Sequence, residues 1–205
     1  MAWEPIHKNG HGNSGFNLAD YDEAVREFSW EQARARLDGL PGGRGLNIAY
    51  EAVDRHAAGS RRDKVALRCV AKDGSTTDLT YAQLASQTSR FANLLRSLGV
   101  GKGDRVFTLL GRVPELYVAA LGTLKNTSVI APLFSAFGPE PIRERLRLGD
   151  AKALVTSPDL YLRKIAPIRD SLPGLEHVLI AGEPPDDTTI GLADALAASS
   201  EQFEI

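Results

Sequence analysis

The glycine-lysine run LGVGKGDRV, residues 98–106, is the segment of this chain that most invites a phosphate-cradle reading. In a Walker loop the glycine-lysine pair is followed by Ser or Thr, whose hydroxyl holds magnesium. Here Lys102 is followed by Gly103, and the motif's opening glycine falls on Arg96. The run also leaves a helix and enters a strand. A phosphate cradle needs the reverse, so that the amides of a helix N-terminus face the anion. The same test rejects a dinucleotide fingerprint, and the run reads as a helix cap and a surface turn.

Metal chemistry has as little support. Of the four histidines, His7 and His11 are separated by Gly and Asn, His56 stands near Asp54 on what reads as a helix surface, and His177 opens a strand. None has a Cys or carboxylate at ligand spacing. The single Cys69 sits in an apolar run and excludes an internal disulfide. No glycine-flanked serine elbow occurs and no carboxylate pair stands out, so no catalytic residue is assigned. One stretch remains unexplained. PLFSAFGPEPIRERL, residues 132–146, places Phe134 and Phe137 in a loop between a strand and a helix. The rings either wall a narrow apolar site or close the core beneath the loop.

The elements that must position these residues follow from periodicity. A glycine-rich lead-in at 7–17 precedes a helix over 20–38, with Asp20 as N-cap, and the turn GLPGGRG ends it. A second helix carries Ile48, Ala49, Ala52, Val53 and His56 at helical spacing. Residues 65–70 and 76–81 form a hairpin around Asp73-Gly74. Thr80 caps a long helix whose buried face is Leu84, Phe91, Leu94, Leu95 and Leu98, ended by Gly99. From there strands at 105–110, 128–133, 152–157 and 176–181 alternate with helices opened by Pro114, by Pro139 or Pro141, and by Pro158. Near-continuous apolar strands alternating with helices imply βαβ units. The expected fold class is α/β: a doubly wound, mainly parallel sheet with helices on both faces, preceded by a helical N-terminal segment and a β-hairpin.

Composition is compatible with that. The chain has 205 residues and a net charge of −2, which supports neither nucleic-acid nor anionic-membrane partners. No stretch approaches the roughly twenty apolar residues of a membrane span. The first thirty residues hold no signal-like apolar segment, so the expectation is a cytoplasmic protein. The expected organisation is a lead-in with helices over 1–60 and an α/β portion over 61–205.

Five segments together resemble the start of the acetyl-CoA synthetases, acyl-CoA ligases of the adenylate-forming superfamily. They are LNIAYEAVDRHAA (46–58), DKVALRCV (63–70), LTYAQLASQTSRFANLLRSLGVGKGDRV (79–106), RVPELYVAALGTLK (112–125) and PLFSAFGPEPIRERL (132–146). One departure is Asn126-Thr127, where a pair such as Ala-Gly is expected; Asn can end a helix in the left-handed conformation. The resemblance implies a ligase of two half-reactions. A carboxylate attacks the α-phosphate of ATP to give acyl-adenylate and pyrophosphate, and the thiol of CoA then displaces AMP. Mg²⁺, lysine and backbone amides offset the developing charge.

The resemblance also places a small residue and an aromatic beside the pantetheine tunnel, at Ala136 and Phe134, with Phe137 flanking. It places basic side chains for the 3′-phosphate of CoA at Arg163 and Lys164, which read equally as a solvated helix face. The family's glycine-rich phosphate loop, its later glutamate and its catalytic lysine do not occur in these 205 residues. The expectation is therefore an N-terminal portion of a longer ligase. On its own this portion would not be catalytic and would bind none of ATP, Mg²⁺ or CoA tightly. It would also self-associate through surface that the remainder covers. Two alternatives stay open: a stand-alone α/β binding or interaction module, and a complete flavodoxin-like protein, which lacks a phosphate turn after its first strand.

Overall fold

The computed structural model describes residue 18 and residues 20–205, so His7, His11 and the 7–17 lead-in lie outside it. The chain divides into two units between Asp38 and Gly39. In the first unit, the single helix expected over 20–38 is two: α1 (Tyr21–Glu27) and α2 (Trp30–Ala35). Asp20 caps α1, accepting from the Glu23 amide at 2.9 Å. Phe28 then turns extended, and Ser29 caps α2 through the Gln32 amide at 3.1 Å. A serine able to accept from a downstream amide starts a new helix more readily than it continues an old one.

The second unit begins with α3, residues 48–57, which includes one π-helical turn at Tyr50–Asp54. Asn47 starts it, its Oδ1 accepting from the Ala49 amide at 2.9 Å and the Tyr50 amide at 3.1 Å. Strands β1 (Val65–Val70) and β2 (Thr76–Thr80) form an antiparallel hairpin, locked by a bidentate Arg68–Asp78 pair with both bonds at 2.7 Å. Then comes α4 (Tyr81–Ser97), opened by a reciprocal capping box between Thr80 and Gln83.

The remaining chain builds a parallel sheet. Its strands are β3 (Arg105–Leu109), β4 (Val129–Pro132), β5 (Ala151–Thr156), β6 (His177–Ile180) and β7 (Ile190–Gly191), in the order β4-β3-β5-β6-β7. Helices α5 (Pro114–Lys125), α6 (Pro139–Leu148) and α7 (residues 158–171) connect them, and α8 (Leu192–Ala198) follows β7. The fold class read from the sequence is the one observed. β7 and α8 went unread, because a two-residue strand has no periodicity to detect. Helix α7 is less regular than expected. It runs from an α turn into a π turn and then a 3-10 segment containing Pro167, which cannot donate and crowds the preceding turn.

Strand alternation splits the interior into two cores. On one face Val106, Leu110, Ala153, Val155 and Leu179 pack against α4, α5 and α8. On the other, Phe107, Leu109, Leu154, Val178 and Ile180 pack against α6 and α7.

A buried ion pair aligns the helices of the first face. Lys125 is 1% exposed, and its ammonium donates to Asp54 Oδ1 at 2.7 Å, to Ser89 Oγ at 3.1 Å and to the Ala85 carbonyl at 3.3 Å. Asp54 is thus no plain helix-surface residue: it joins α3 to α4 and α5. Burial pulls the Lys125 ammonium below its ordinary pKa, with Asp54 opposing, and pushes the Asp54 carboxyl up, with Lys125 opposing. Both shifts weaken the charged forms. What the pair fixes is the mutual placement of three elements.

The C-termini of α4 and α5 are sewn together beside it. Each ends in the same motif, with 6→1 and 5→2 bonds. In α4 these are Val100 N to Leu95 O at 2.9 Å and Gly99 N to Arg96 O at 3.0 Å. In α5 they are Ser128 N to Thr123 O and Thr127 N to Leu124 O, both at 3.0 Å. The left-handed residue is Gly99 (φ 73°) in α4 but Thr127 (φ 60°) in α5. The sequence pointed to Asn126 for this role. Asn126 instead stays at φ −71°, and its buried Nδ2 bridges Val100 O and Ser128 Oγ, both at 2.9 Å.

Two expectations follow. Asp54→Asn leaves the Lys125 ammonium buried without a counter-charge and should cost about 3 kcal/mol in urea unfolding at neutral pH. The deficit should shrink as pH rises toward the lysine range, since the unfolded chain then releases the proton that its higher pKa had held. The double variant Asp54→Leu with Lys125→Met should recover most of the loss. A single-variant cost near zero would show that the pair does not hold the helices. Thr127→Gly, at an exposed position whose β-branched side chain resists a positive φ, should stabilise by about 1 kcal/mol, read from the same unfolding midpoint.

Candidate functional site

The strand order contains a reversal. From β3 the chain passes through α5, on the first face, to β4 on one side. From β5 it passes through α7, on the second face, to β6 on the other side. Between the carboxyl ends of β3 and β5 the connections therefore diverge, and a crevice opens at the place where open α/β sheets take ligands. A cleft of about 670 Å³ lies there. Leu110 and Gly111 line it from the end of β3, Ser157 and Asp159 from the end of β5, Ser135 from the loop after β4 and Gly182 from the end of β6.

Each wall has a local cause. Ser157 caps α7, accepting from the Leu160 amide at 3.4 Å, and Pro158 follows at the first helical position. Gly182 has φ +136°, and a Cβ there would stand 3.0 Å from Pro158 Cγ and 3.1 Å from its Cδ. The chain can leave β6 over the start of α7 only without a side chain at that position.

Of the five residues expected at the site, Arg163 lines the cleft. Its guanidinium is forked onto Asp159 one turn earlier, Nε to Oδ1 at 2.8 Å and Nη2 to Oδ2. Both side chains are well exposed, so the pair is weak and exchangeable. Phe134 stands on the surface, 65% exposed, and Ala136 is also exposed. Phe137 is half-buried against the second core. The two rings meet edge to face, with centroids 5.6 Å apart and planes at 87°. Thus one ring does close the core, as the plainer reading had it, and the other is left facing outward.

Lys164, although adjacent to Arg163, is directed elsewhere. Its ammonium donates to the carbonyls of Ser135 and, at 2.7 Å, of Phe137. It is this lysine that joins the 134–137 turn to α7.

Sequence reasoning missed Arg145, whose guanidinium lies 4.2 Å from the centroid of the Phe137 ring. The signal that could have found it is the distance along α6: a residue two turns into a helix can fold back over the loop that precedes it.

A second, apolar cleft of about 350 Å³ adjoins the first, sharing Glu115, Ala181 and Gly182 and floored by Val118, Leu192 and Leu196. Arg90 holds its outer wall, donating to the carbonyls of Leu196 at 3.3 Å, Ala197 at 3.2 Å and Ser199 at 2.6 Å at the end of α8. The main cleft's described lining has one cation, two carboxylates (Glu115 and Asp159) and no His, Cys or Lys. It supplies shape, an apolar edge and one exchangeable cation. Among the described residues no three His, Cys, Asp or Glu converge as metal ligands. No step through Mg²⁺ is assigned to the described residues. No described helix is long and apolar enough to cross a membrane.

Comparison with known proteins adds the context. Residues 53–202 match the family described as AMP-binding enzyme. The chain is 38% identical over 193 residues to an acetyl-coenzyme A synthetase of Bacillus subtilis, covering 92% of this chain and 33% of that protein. It is 37% identical over 153 residues to a 3-hydroxypropionyl-coenzyme A synthetase of Metallosphaera sedula, covering 75% of this chain and 23% of that one. Among solved structures, an acyl-CoA synthetase of Brucella canis superposes with a TM-score of 0.76 at 33% identity, over 90% of this chain and 33% of the other. The chain thus spans about a third of the length of the Bacillus and Brucella proteins.

If the chain's exit from β6 over Pro158 shapes that wall of the cleft, Gly182→Ala should cost about 2 kcal/mol in thermal or urea unfolding, through its backbone conformation and the contact with Pro158. Gly111→Ala on the opposite wall, where a Cβ meets nothing within 4 Å, should change stability by less than about 0.5 kcal/mol. Equal effects at the two positions would refute that account of the wall.

Proposed function

The chain belongs to the family of AMP-binding enzymes, and on that footing we propose that it is the N-terminal, CoA-side portion of an ATP-dependent acyl-CoA ligase. The reaction of the whole ligase joins acetate or another carboxylate to ATP, releasing pyrophosphate, and then transfers the acyl group from AMP to the thiol of CoA. The observation that carries this reading is the cleft at the sheet's point of reversal. It has an outward-facing aromatic ring beside it and an arginine on its wall.

A pantetheine arm is thin and largely apolar, and it suits a path past Phe134 and the small Ala136 on the turn whose Ser135 lines the cleft. The 3′-phosphate suits Arg163, whose fork binds phosphate oxygens in pairs. To do so it must leave Asp159, an exchange of one exposed charge-assisted contact for a stronger one. Phe137, half-buried against the second core, supports the Phe134 ring. The role of this segment is to bind and orient the thiol substrate. The nucleotide's phosphates have no cradle in it, since the Lys102 run has the wrong spacing and the wrong order of elements.

Heteronuclear NMR of the 205-residue chain tests the proposal. Millimolar CoA should shift amides at 111, 134–137, 157, 159–163 and 181–182, while ATP with Mg²⁺ should leave them in place. The same chain supplied with ATP and acetate should release no pyrophosphate above a heat-treated control. Absence of CoA-dependent shifts at those positions would overturn the CoA-side reading, and pyrophosphate release would overturn the assignment of adenylation to the remainder of the ligase.

A further inference from the structure

Arg163 and Lys164 are neighbours of like charge, and a phosphate-binding reading treats them as a pair. Their side chains separate. Arg163 turns back along α7 to Asp159 at the cleft. Lys164 crosses to the loop after β4 and donates to two main-chain carbonyls, those of Ser135 and Phe137. An ammonium has three N–H donors, so two are already committed. Bonds of a cation to carbonyl oxygens are stronger than neutral ones. Drawing Lys164 onto a phosphate would strip both carbonyls of their partner.

What those carbonyls belong to gives the lysine its role. Residues 134–137 form a turn closed by the Phe137 amide donating to Phe134 O at 3.0 Å. Phe137 lies beneath the Arg145 guanidinium, and the Phe134 and Phe137 rings meet edge to face. The outward ring is therefore set by two supports: Lys164 on the turn's backbone and Arg145 on the ring that bears it. Apart from these, Phe134 is mostly exposed and Ala136 is exposed as well. No other described side chain bonds the carbonyls of Ser135 or Phe137.

We infer that Lys164 is a positioning residue, which fixes the 134–137 turn in the form that presents Phe134, and that it is not a phosphate contact. The part that concerns ligand rests on the CoA-side reading above; the fixing of the turn does not.

Hydrogen exchange and ligand binding on the 205-residue chain separate the possibilities. Lys164→Met should speed exchange of the Phe137 amide by roughly tenfold or more, as loss of charged hydrogen bonds implies. Lys164→Arg, which keeps charge and donors, should restore part of the protection, and Arg163→Met should leave it unchanged. Titration with CoA and with dephospho-CoA, which lacks the 3′-phosphate, supplies the second readout. Lys164→Met should weaken both ligands by the same factor, leaving their ratio as in the unmodified chain, whereas Arg163→Met should bring the ratio toward one. Unchanged exchange at Phe137 in Lys164→Met, or selective loss of CoA over dephospho-CoA, overturns the inference. If the unmodified chain binds neither ligand, the CoA-side reading fails and the exchange rates alone decide the role of Lys164. Should Lys164→Met not fold, Lys164→Gln carries the same two readouts.

Discussion

The cleft depends on one constraint: a strand-helix-strand connection to a parallel neighbour is right-handed, so a chain that reverses its direction of travel across a sheet must change faces. β3 goes one way to β4, and everything after goes the other way. The helices are therefore forced onto opposite faces, and the loops after β3 and β5 part at the carboxyl edge. No side chain had to be selected to make an opening there. Selection acts on what edges it, and in this chain the edges are a helix-capping serine, a glycine that must lack a side chain, and an aromatic turn.

The same constraint explains why the buried polar groups lie where they do. Helices α4 and α5 lie side by side on the first face, and α5 must end where β4 can begin beside β3. Four polar side chains manage that ending. Asn47 donates to the Leu124 carbonyl at 2.8 Å, Lys125 reaches Asp54, Asn126 bridges Val100 and Ser128, and Ser128 Oγ donates to Gly101 O at 2.7 Å. A helix C-terminus leaves carbonyls without partners, and a cation near it is favoured by the helix dipole. Burial makes each of these groups costly unless it is satisfied. A set of mutually satisfied groups therefore defines one arrangement of α3, α4 and α5, which apolar packing alone would leave looser.

The elements that sequence could give were those whose signal is local. Thr80 with Gln83, the prolines at helix starts and the apolar strands all carry their instruction within a few residues, and the parallel sheet followed from their alternation. Ser29 carried such a signal too, yet the amphipathic run on either side of it masked the break. What sequence could not give was pairing across distance. Lys125 and Asp54 are 71 residues apart, and each looks like an ordinary solvated charge until the fold brings them together. Thr127 at a left-handed position is illegible for another reason. The rule favours Gly or Asn there, and the adjacent Asn drew the assignment, while the hydrogen-bond pattern counted one residue further.

Arg163 and Lys164 show the limit most sharply within the candidate site. Sequence offers two adjacent cations and no means to tell them apart. On a helix, neighbours point about 100° away from each other, so adjacency in sequence argues against a shared ligand. The structure adds what each direction meets: for Arg163 an exposed carboxylate that an anion can displace, for Lys164 two backbone carbonyls that no other described residue bonds. A cation whose partner is another mobile side chain remains available for binding. A cation whose partners are main-chain atoms of a turn has become part of the scaffold, and its contribution to a ligand passes through the shape of that turn.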